Sequence, residues 1–190
     1  QRSNRAARCV WAARERGARI TAEVTPHHLT LTHEEVGFDL PSGNGGDDSN
    51  RYRQIRYDTN SKVNPPLREQ ADVGACIQAL RDGVIDAIAT DHAPHHADDK
   101  AVEFDQAPFG IIGLETAIPL VLDRLLHRGL VPIGRLVELL ATNPARILGL
   151  SGGTLAPGSP ADVTVLAPDV MTHVSASAFR SLARNTPFDG

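Results

Sequence analysis

The chain has 190 residues, of which 41% are hydrophobic and 22% charged, with a formal net charge of −4. This balance is typical of an ordinary globular protein and excludes collagen-like, low-complexity and largely disordered chains. No stretch approaches the ~20 consecutive apolar residues that span a bilayer, and the acidic balance argues against nucleic acid as a partner. Because two cysteines are too few for a disulfide scaffold, we expect buried thiols and a reducing, cytoplasmic location.

The first residues read as a helix and carry no signal-peptide pattern. An arginine-rich apolar repeat over residues 5–16 predicts this helix, and Gly17 supplies its C-terminal stop. The chain begins with Gln1, and its single methionine is Met171. We therefore expect an internal piece of a longer protein.

Strand and helix signals alternate along the chain. Periodicity predicts strands over 18–24 and 84–90, helices over 68–82 and 114–128, and further helices that open at Pro132 and at Asn143-Pro144. The glycine-rich tract over 38–60 has no periodicity and is predicted to be a surface excursion. Short strand signals lie around Leu155 and over 163–166, between glycine and proline turns.

This order of elements predicts an α/β fold. Repeated strand–loop–helix units are typical of a parallel sheet, and about three such units correspond to part of a (β/α)8 barrel, which takes ~250 residues when complete. We expect residues 1–150 to form the barrel part and residues 151–190 to begin a small accessory β unit. Because half a barrel leaves strand edges unpaired, the piece alone should fold poorly.

Five of the eight histidines directly follow predicted strands, where barrel enzymes build their active sites, namely His27, His28, His92, His95 and His96. Asp91 lies just beyond the apolar run over 84–90. A carboxylate in that position can ligate a divalent metal and accept a proton. The structural alternative for Asp91 is an N-cap of the following turn.

Each of two further segments can be interpreted either as part of a ligand-binding site or as a purely structural turn. Asn64, in the KVNPPLR segment over 62–68, offers an amide donor and acceptor, but the segment also fits a plain strand-to-helix turn. Gly110 after Phe109 lets the backbone approach a ligand, so its N–H can hold a carboxylate. Most such triplets are simple turns, and we expect His27 and His28 to form hydrogen bonds at the barrel rim.

Taken together, four segments resemble bacterial class I dihydroorotases of the amidohydrolase superfamily. They are AEVTPHHL (22–29), KVNPPLR (62–68), ATDHAPH (89–95) and APFG (107–110), in the family's order and approximate spacing. The resemblance extends from about Ala6 to NTPF at 185–188. It implies a cytoplasmic, zinc-dependent hydrolase that interconverts N-carbamoyl-L-aspartate and dihydroorotate in de novo pyrimidine synthesis.

The resemblance also implies residue roles. Asp91 matches the aspartate that ligates zinc and acts as catalytic base, whereas Asn64 and His95 match residues that bind substrate. Phe109 and Gly110 match a pair whose backbone contacts substrate. In animal relatives, the position of Glu23 lies near an additional metal.

The family's other metal ligands are absent from this chain, so one or two Zn²⁺ ions would depend on ligands outside it. These are a His-x-His pair, a bridging aspartate or carboxylated lysine, and two more histidines. We therefore expect the C-terminal part of the enzyme, inactive on its own. The resemblance leaves open a homodimer or association with aspartate transcarbamoylase. Two alternatives to the enzyme remain: another cyclic amidase, of the allantoinase or hydantoinase type, and a non-catalytic homologue that serves as a scaffold for aspartate transcarbamoylase.

Overall fold

The computed structural model describes residues 2–39 and 55–190. Its strands are short, and its helices belong to the predicted helical segments except for the four-residue α3, which lies in a segment without a predicted helix. The strands are β1 (Glu23–Val24), β2 (Gly37–Asp39), β3 (Ile55–Tyr57) and β4 (Ala87–Ile88). The α-helices are α1 (Arg2–Glu15), α2 (Gln70–Arg81), α3 (Ala97–Lys100), α4 (Ala117–Val121), α5 (Ile133–Val137) and α6 (Asn143–Leu148).

β1 and β4 form the parallel pair that the alternating pattern predicts. Glu23 pairs with Ala87 and Val24 pairs with Ile88. An ion pair ties α1 to the same pair of strands, because Arg14 contacts the Asp86 carboxylate, which also accepts from the Ala22 N–H over 2.8 Å. As the strands are parallel, the segments that follow them leave from the same edge.

The hydrophobic core lies between these strands and the helices. Its most buried side chains come from the end of α2 and from the later helices, with Leu80, Leu125 and Leu139 all fully inaccessible. Both predicted amphipathic helices contribute to this core. Burial of each large aliphatic side chain contributes about 2 kcal/mol, so the core outweighs the short hydrogen-bond ladder.

The predicted strands and the long helix differ from the observed elements in length. Pairing covers two residues in each barrel strand, because a ladder extends only as far as a partner strand accompanies it. The helix predicted over 114–128 begins as α4 and continues as a π-helical turn over Leu122–Leu126. A second π-helical turn, Glu138–Thr142, joins α5 to α6, and α6 begins at Asn143, where a helix is predicted to open.

The strand signals near the C-terminus are a wrong prediction for the structure described. The segments around Leu155 and over 163–166 contain no strand, and Leu155 and Val165 are more than 80% exposed. Alternating apolar residues form a strand only when a second strand supplies hydrogen bonds. The division into residues 1–150 and 151–190 stays a prediction.

Most of the predicted excursion over 38–60 lies outside the described residues, but its two ends are described. β2 and β3 pair antiparallel there, with Gly37 opposite Tyr57. The prediction of two buried thiols is wrong, because Cys9 is exposed and Cys76 is half-buried. Across residues 2–39 and 55–190, no helix combines the length and apolar composition needed to cross a bilayer.

Candidate active site

The predicted site residues lie in segments that follow the paired strands. His27 and His28 form a 3₁₀ turn, His27–Leu29, soon after β1, while Asp91 and His95 follow β4. Because β1 and β4 are parallel, both segments leave the same edge of the sheet. This is the edge at which barrel enzymes place their catalytic groups.

Asp91 is held in an unusual backbone conformation. Its φ of 48° makes it the one non-glycine residue with positive φ in the described parts of the chain. A left-handed conformation at aspartate costs about 1 kcal/mol and persists where the surroundings hold it. Asp91 is exposed and lines a cavity of about 470 Å³ together with Glu23, His28 and Pro65.

Of the two histidines after β1, His28 has the structural hydrogen bonds predicted for the rim. His28 Nε2 lies 2.8 Å from the Pro65 carbonyl, which can only accept, so Nε2 carries a hydrogen. Its Nδ1 lies 2.6 Å from the Thr25 hydroxyl. Burial lowers the pKa of His28, against the opposing effects of the Pro65 hydrogen bond and the Asp91 charge.

His27 is more deeply buried than His28 and stays neutral. Only 2% of the residue is exposed, and its Nε2 has no hydrogen-bond partner. Burial, with a smaller contribution from the neighbouring His28, lowers the pKa of His27 to about 3. His27 is therefore a core residue, in keeping with its structural interpretation.

His95 directly contacts the segment that contains Phe109 and Gly110. Its Nε2 lies 2.9 Å from the Phe109 carbonyl, so the ring donates this hydrogen bond. Gly110 has a φ of 116°, and a Cβ at this position would clash with the Ala93 side chain. The structure thus brings three predicted residues together and explains why glycine occupies position 110.

The backbone contact of Phe109 and Gly110 with substrate stays a prediction, and the Gly110 N–H has a partner within the protein. That N–H donates to the Lys62 carbonyl over 2.8 Å and is therefore occupied within the protein. The same bond places the segment over 107–110 beside Lys62, two residues before Asn64. Asn64 itself is exposed at this rim.

The two lysines of the sequence, Lys62 and Lys100, are both buried beneath this segment. Lys62 Nζ donates to the carbonyls of Asp105 and Ala107 over 2.9 and 2.6 Å. Its ammonium group also lies 4.7 Å from the centre of the Phe109 ring, a cation–π distance.

Lys100 holds the neighbouring part of the same segment. Its Nζ donates to the carbonyls of Pro108 and Thr59 over 2.8 and 2.9 Å. Burial, together with the charge of Lys62, lowers the pKa of Lys100 to about 8, while Asp58 opposes the shift. Each lysine therefore cross-links backbone carbonyls on the floor of the candidate site.

The site residues divide between two cavities. His95 lines a second cavity, of about 1250 Å³, with Lys100 and Asn185. Asp91 lines the smaller cavity, which includes Pro65. Asn64 directly precedes Pro65 in the chain, so the KVNPPLR segment runs beside the cavity of Asp91.

Two other histidines have structural partners. His92 Nδ1 accepts from the Gly113 N–H over 3.1 Å and so fixes the loop before α4. His96 is the N-cap of α3, where its ring accepts from the Asp98 N–H over 3.3 Å. The sequence did not predict these hydrogen bonds of His92 and His96, because each depends on which backbone N–H the fold places opposite the ring.

The described residues bring no three metal-ligating side chains together. Asp91 and Glu23 are the carboxylates that line the smaller cavity, and both nitrogens of its histidine, His28, are engaged. An exposed carboxylate at the end of a barrel strand fits one position in a zinc ligand set, but one ligand does not hold the ion. Among the described residues, Asp91 can therefore supply at most one ligand of such a set.

Comparison with known proteins identifies the family. Residues 6–189 match the amidohydrolase family. The chain belongs to this family.

The matches to similar proteins cover nearly the whole of this chain but only part of the length of each relative. The chain is 47% identical over 183 residues to the dihydroorotase of Pelotomaculum thermopropionicum, covering 96% of this chain and 39% of the relative. It is 47% identical over 178 residues to the dihydroorotase of Elusimicrobium minutum, covering 94% of this chain and 37% of the relative. The chain therefore spans about two fifths of the length of these relatives.

A solved amidohydrolase structure confirms the fold class. The L-hydantoinase (dihydropyrimidinase) of Arthrobacter aurescens superposes with a TM-score of 0.82 at 29% identity, covering 98% of this chain and 39% of that protein. The chain accordingly has the fold of part of a (β/α)8 barrel, as predicted.

Sequence reasoning assigned no role to Asn185, whose side chain contacts two of the predicted site segments. Asn185 is 4% exposed, and its side-chain amide donates to the Ala93 carbonyl over 2.9 Å and to the Gly110 carbonyl over 3.2 Å. Its Oδ1 accepts from the His95 N–H over 3.2 Å. Because Asn185 lies 92 residues from Ala93, no local pattern predicted this contact. The sequence indicated only that Asn185 is part of the family-like NTPF segment.

Proposed function

We propose that this chain carries the C-terminal, substrate-binding part of a zinc-dependent dihydroorotase. The enzyme would interconvert N-carbamoyl-L-aspartate and dihydroorotate, with loss of water on ring closure, in pyrimidine biosynthesis. The observation that carries the proposal is the 2.9 Å contact between His95 Nε2 and the Phe109 carbonyl, which joins two of the four family-like segments. The 47% identity to proteins named dihydroorotase supports the choice of substrate.

Asp91 is proposed as the base and as one metal ligand. Zinc, when bound, lowers the pKa of a coordinated water so that it becomes nucleophilic near neutral pH. In the hydrolytic direction, Asp91 accepts the proton that the attacking water loses and delivers it to the departing ring nitrogen. Its exposed carboxylate at the strand end leaves it accessible to a ring amide.

Substrate binding is assigned to Asn64, His95 and the Phe109-Gly110 backbone. Asn64 is exposed, so its amide is accessible to a ureido or imide group. Because the Gly110 N–H is occupied, this segment would contact substrate through the exposed Phe109 ring and through the second lone pairs of the Phe109 and Gly110 carbonyls, which already accept from His95 and Asn185. The buried ammonium groups of Lys62 and Lys100 supply positive potential beneath the segment, which favours the carboxylate that both substrates carry.

A second candidate activity is hydrolysis of a hydantoin-like ring. It is favoured by the superposition on an L-hydantoinase, which extends over 98% of this chain. Both activities would use the same zinc chemistry and would differ in the groups that recognise the ring substituents. Association with a second copy or with aspartate transcarbamoylase stays a prediction.

Turnover and metal content test the proposal. The experiment uses the parent polypeptide, which we define as the natural gene product that contains these 190 residues, whatever its length. We expect hydrolysis of dihydroorotate, with hydantoin and allantoin as poor substrates. Hydrolysis of hydantoin at a higher kcat/KM than dihydroorotate would select the second candidate, and turnover of none of the three would contradict both.

Matched aspartate variants test the role assigned to Asp91. Asp91→Ala should abolish turnover and lower bound zinc, because it removes a metal ligand and the base together. Asp98→Ala, at an exposed aspartate on α3, should leave both unchanged. Turnover of Asp91→Ala within about tenfold of wild type would contradict the assignment. The chain expressed alone should show no turnover, since Asp91 by itself does not retain zinc.

A further inference from the structure

Asn185 connects the two loops that carry the candidate substrate contacts. Its side chain contacts the loop after β4 through the Ala93 carbonyl and the His95 N–H. It contacts the Phe109-Gly110 segment through the Gly110 carbonyl. The backbone carbonyl of Asn185 accepts from the Ile112 N–H over 3.0 Å, so the main chain and the side chain of Asn185 both bond to the chain at residues 110–112.

The hydrogen bonds define the orientation of the Asn185 amide. The NH₂ group faces two carbonyl oxygens, and the Oδ1 atom faces an N–H. A flipped amide would place Oδ1 against both carbonyls and leave the His95 N–H facing another donor. At a buried position each unmatched group costs about 1–3 kcal/mol, so a single orientation persists.

The chain on either side of Asn185 is anchored separately. The Glu115 carboxylate accepts from the N–H groups of Arg180 and Ser181 over 3.0 and 3.1 Å. After Asn185, the carboxylate of Asp189 accepts from the Ala176 N–H over 2.7 Å. Hydrogen bonds before and after Asn185 therefore anchor the segment that carries its side-chain amide.

We propose that Asn185 is a positioning residue of the candidate site. It sets the distance between His95 and the Phe109-Gly110 backbone, and so acts on substrate through His95 and through the Gly110 carbonyl. This inference rests on the proposed function, because it assigns a consequence for the same substrate-binding groups. It predicts that loss of the amide weakens substrate use even when the protein remains folded.

A double-mutant cycle on the parent polypeptide tests this inference. Asn185→Ala should lower kcat/KM for dihydroorotate about tenfold, mainly through KM, because loosened loops cost substrate binding. In a His95→Ala background the same change should lower kcat/KM only about twofold, since residues that act through one another are not additive. The nearly isosteric Asn185→Asp should reproduce the loss, because it replaces the NH₂ donors with an oxygen.

Thr186→Ala supplies the matched control. Thr186 is buried beside Asn185, and its hydroxyl accepts from the Phe188 N–H within the same segment. It should lower thermal stability and leave kcat and KM unchanged. Equal effects of Asn185→Ala with and without His95, or unchanged kinetic constants in folded variants, would overturn the inference.

Two other outcomes have separate meanings. Asn185 variants that never fold would identify a general stability residue, which also overturns the positioning role. A wild-type polypeptide that does not hydrolyse dihydroorotate would instead contradict the proposed function itself. Failure of the function and failure of the inference are therefore distinguished by the wild-type assay.

Discussion

His95 donates a hydrogen bond from Nε2 over 2.9 Å to the carbonyl oxygen of Phe109, 14 positions further along the chain. Each partner comes from a different segment of the family-like pattern. The contact determines the tautomer of His95, because a carbonyl oxygen cannot donate. It also joins two separate motifs through a direct hydrogen bond.

Removal of the His95 ring should weaken substrate use. In the parent polypeptide, His95→Ala should raise KM for dihydroorotate about tenfold with a smaller change in kcat, as expected for a lost binding contact. His96→Ala is the matched control, because its exposed ring caps α3. It should leave KM unchanged, and an equal rise in KM for both variants would contradict a specific role for His95.

Gly110→Ala should destabilise the protein through strain. Its φ of 116° is unfavourable for alanine, and the added methyl group would clash with Ala93. We expect a loss of about 2–4 kcal/mol in the free energy of unfolding. Adding Ala93→Gly should recover the part that is due to the clash.

A helical glycine supplies the control for this change. Nothing would lie within 4 Å of a Cβ on Gly74 in α2. Gly74→Ala should therefore increase stability by about 1 kcal/mol. Chemical denaturation of both single variants and of the Ala93 double variant measures the difference, and equal stabilities of the two alanine variants would contradict the strain argument.

Lys62→Met and Lys100→Met should each leave two backbone carbonyls without their ammonium donor. We expect a loss of about 2 kcal/mol in the free energy of unfolding for each variant. Lysine-to-arginine changes should not restore full stability, because a planar guanidinium does not occupy the volume of a compact ammonium group. Arg128→Met, at an exposed residue, should change stability by less than about 0.5 kcal/mol in the same denaturation experiment.

Buried His27 should make the fold acid-sensitive. Its pKa is about 3 in the folded protein, whereas the unfolded chain binds a proton near pH 6.5. Between these values the unfolded state holds more protons, so stability falls as pH falls. From pH 6.5 to pH 5 the expected loss is about 2 kcal/mol.

Replacement of His27 tests this acid sensitivity. His27→Gln should reduce the difference in unfolding free energy between pH 6.5 and pH 5, because the glutamine side chain does not titrate. His33→Gln, at an exposed histidine, should retain the wild-type difference. Equal slopes in both variants and wild type would exclude His27 as the source.

The sequence alone was sufficient for the features that depend on local chemistry. Apolar periodicity predicted α2 to within two residues at its N-terminal end and one at its C-terminal end, since one face of that helix is buried. The apolar run over 84–90 predicted that Asp91 follows a strand, and Asp91 lies three residues after β4. Short-range patterns succeed there because neighbours along the chain decide the conformation.

Tertiary structure alone decided which polar groups meet. Asn185 lies 92 residues from the Ala93 carbonyl, and Lys62 lies 45 residues from the carbonyl of Ala107. Whether a buried amide or ammonium group is satisfied depends on the carbonyls that folding brings beside it, and no local period encodes these. For the same reason, the Gly110 N–H has a partner that the sequence did not indicate. The apolar run around Val165 forms no strand, because no strand among the described residues pairs with it.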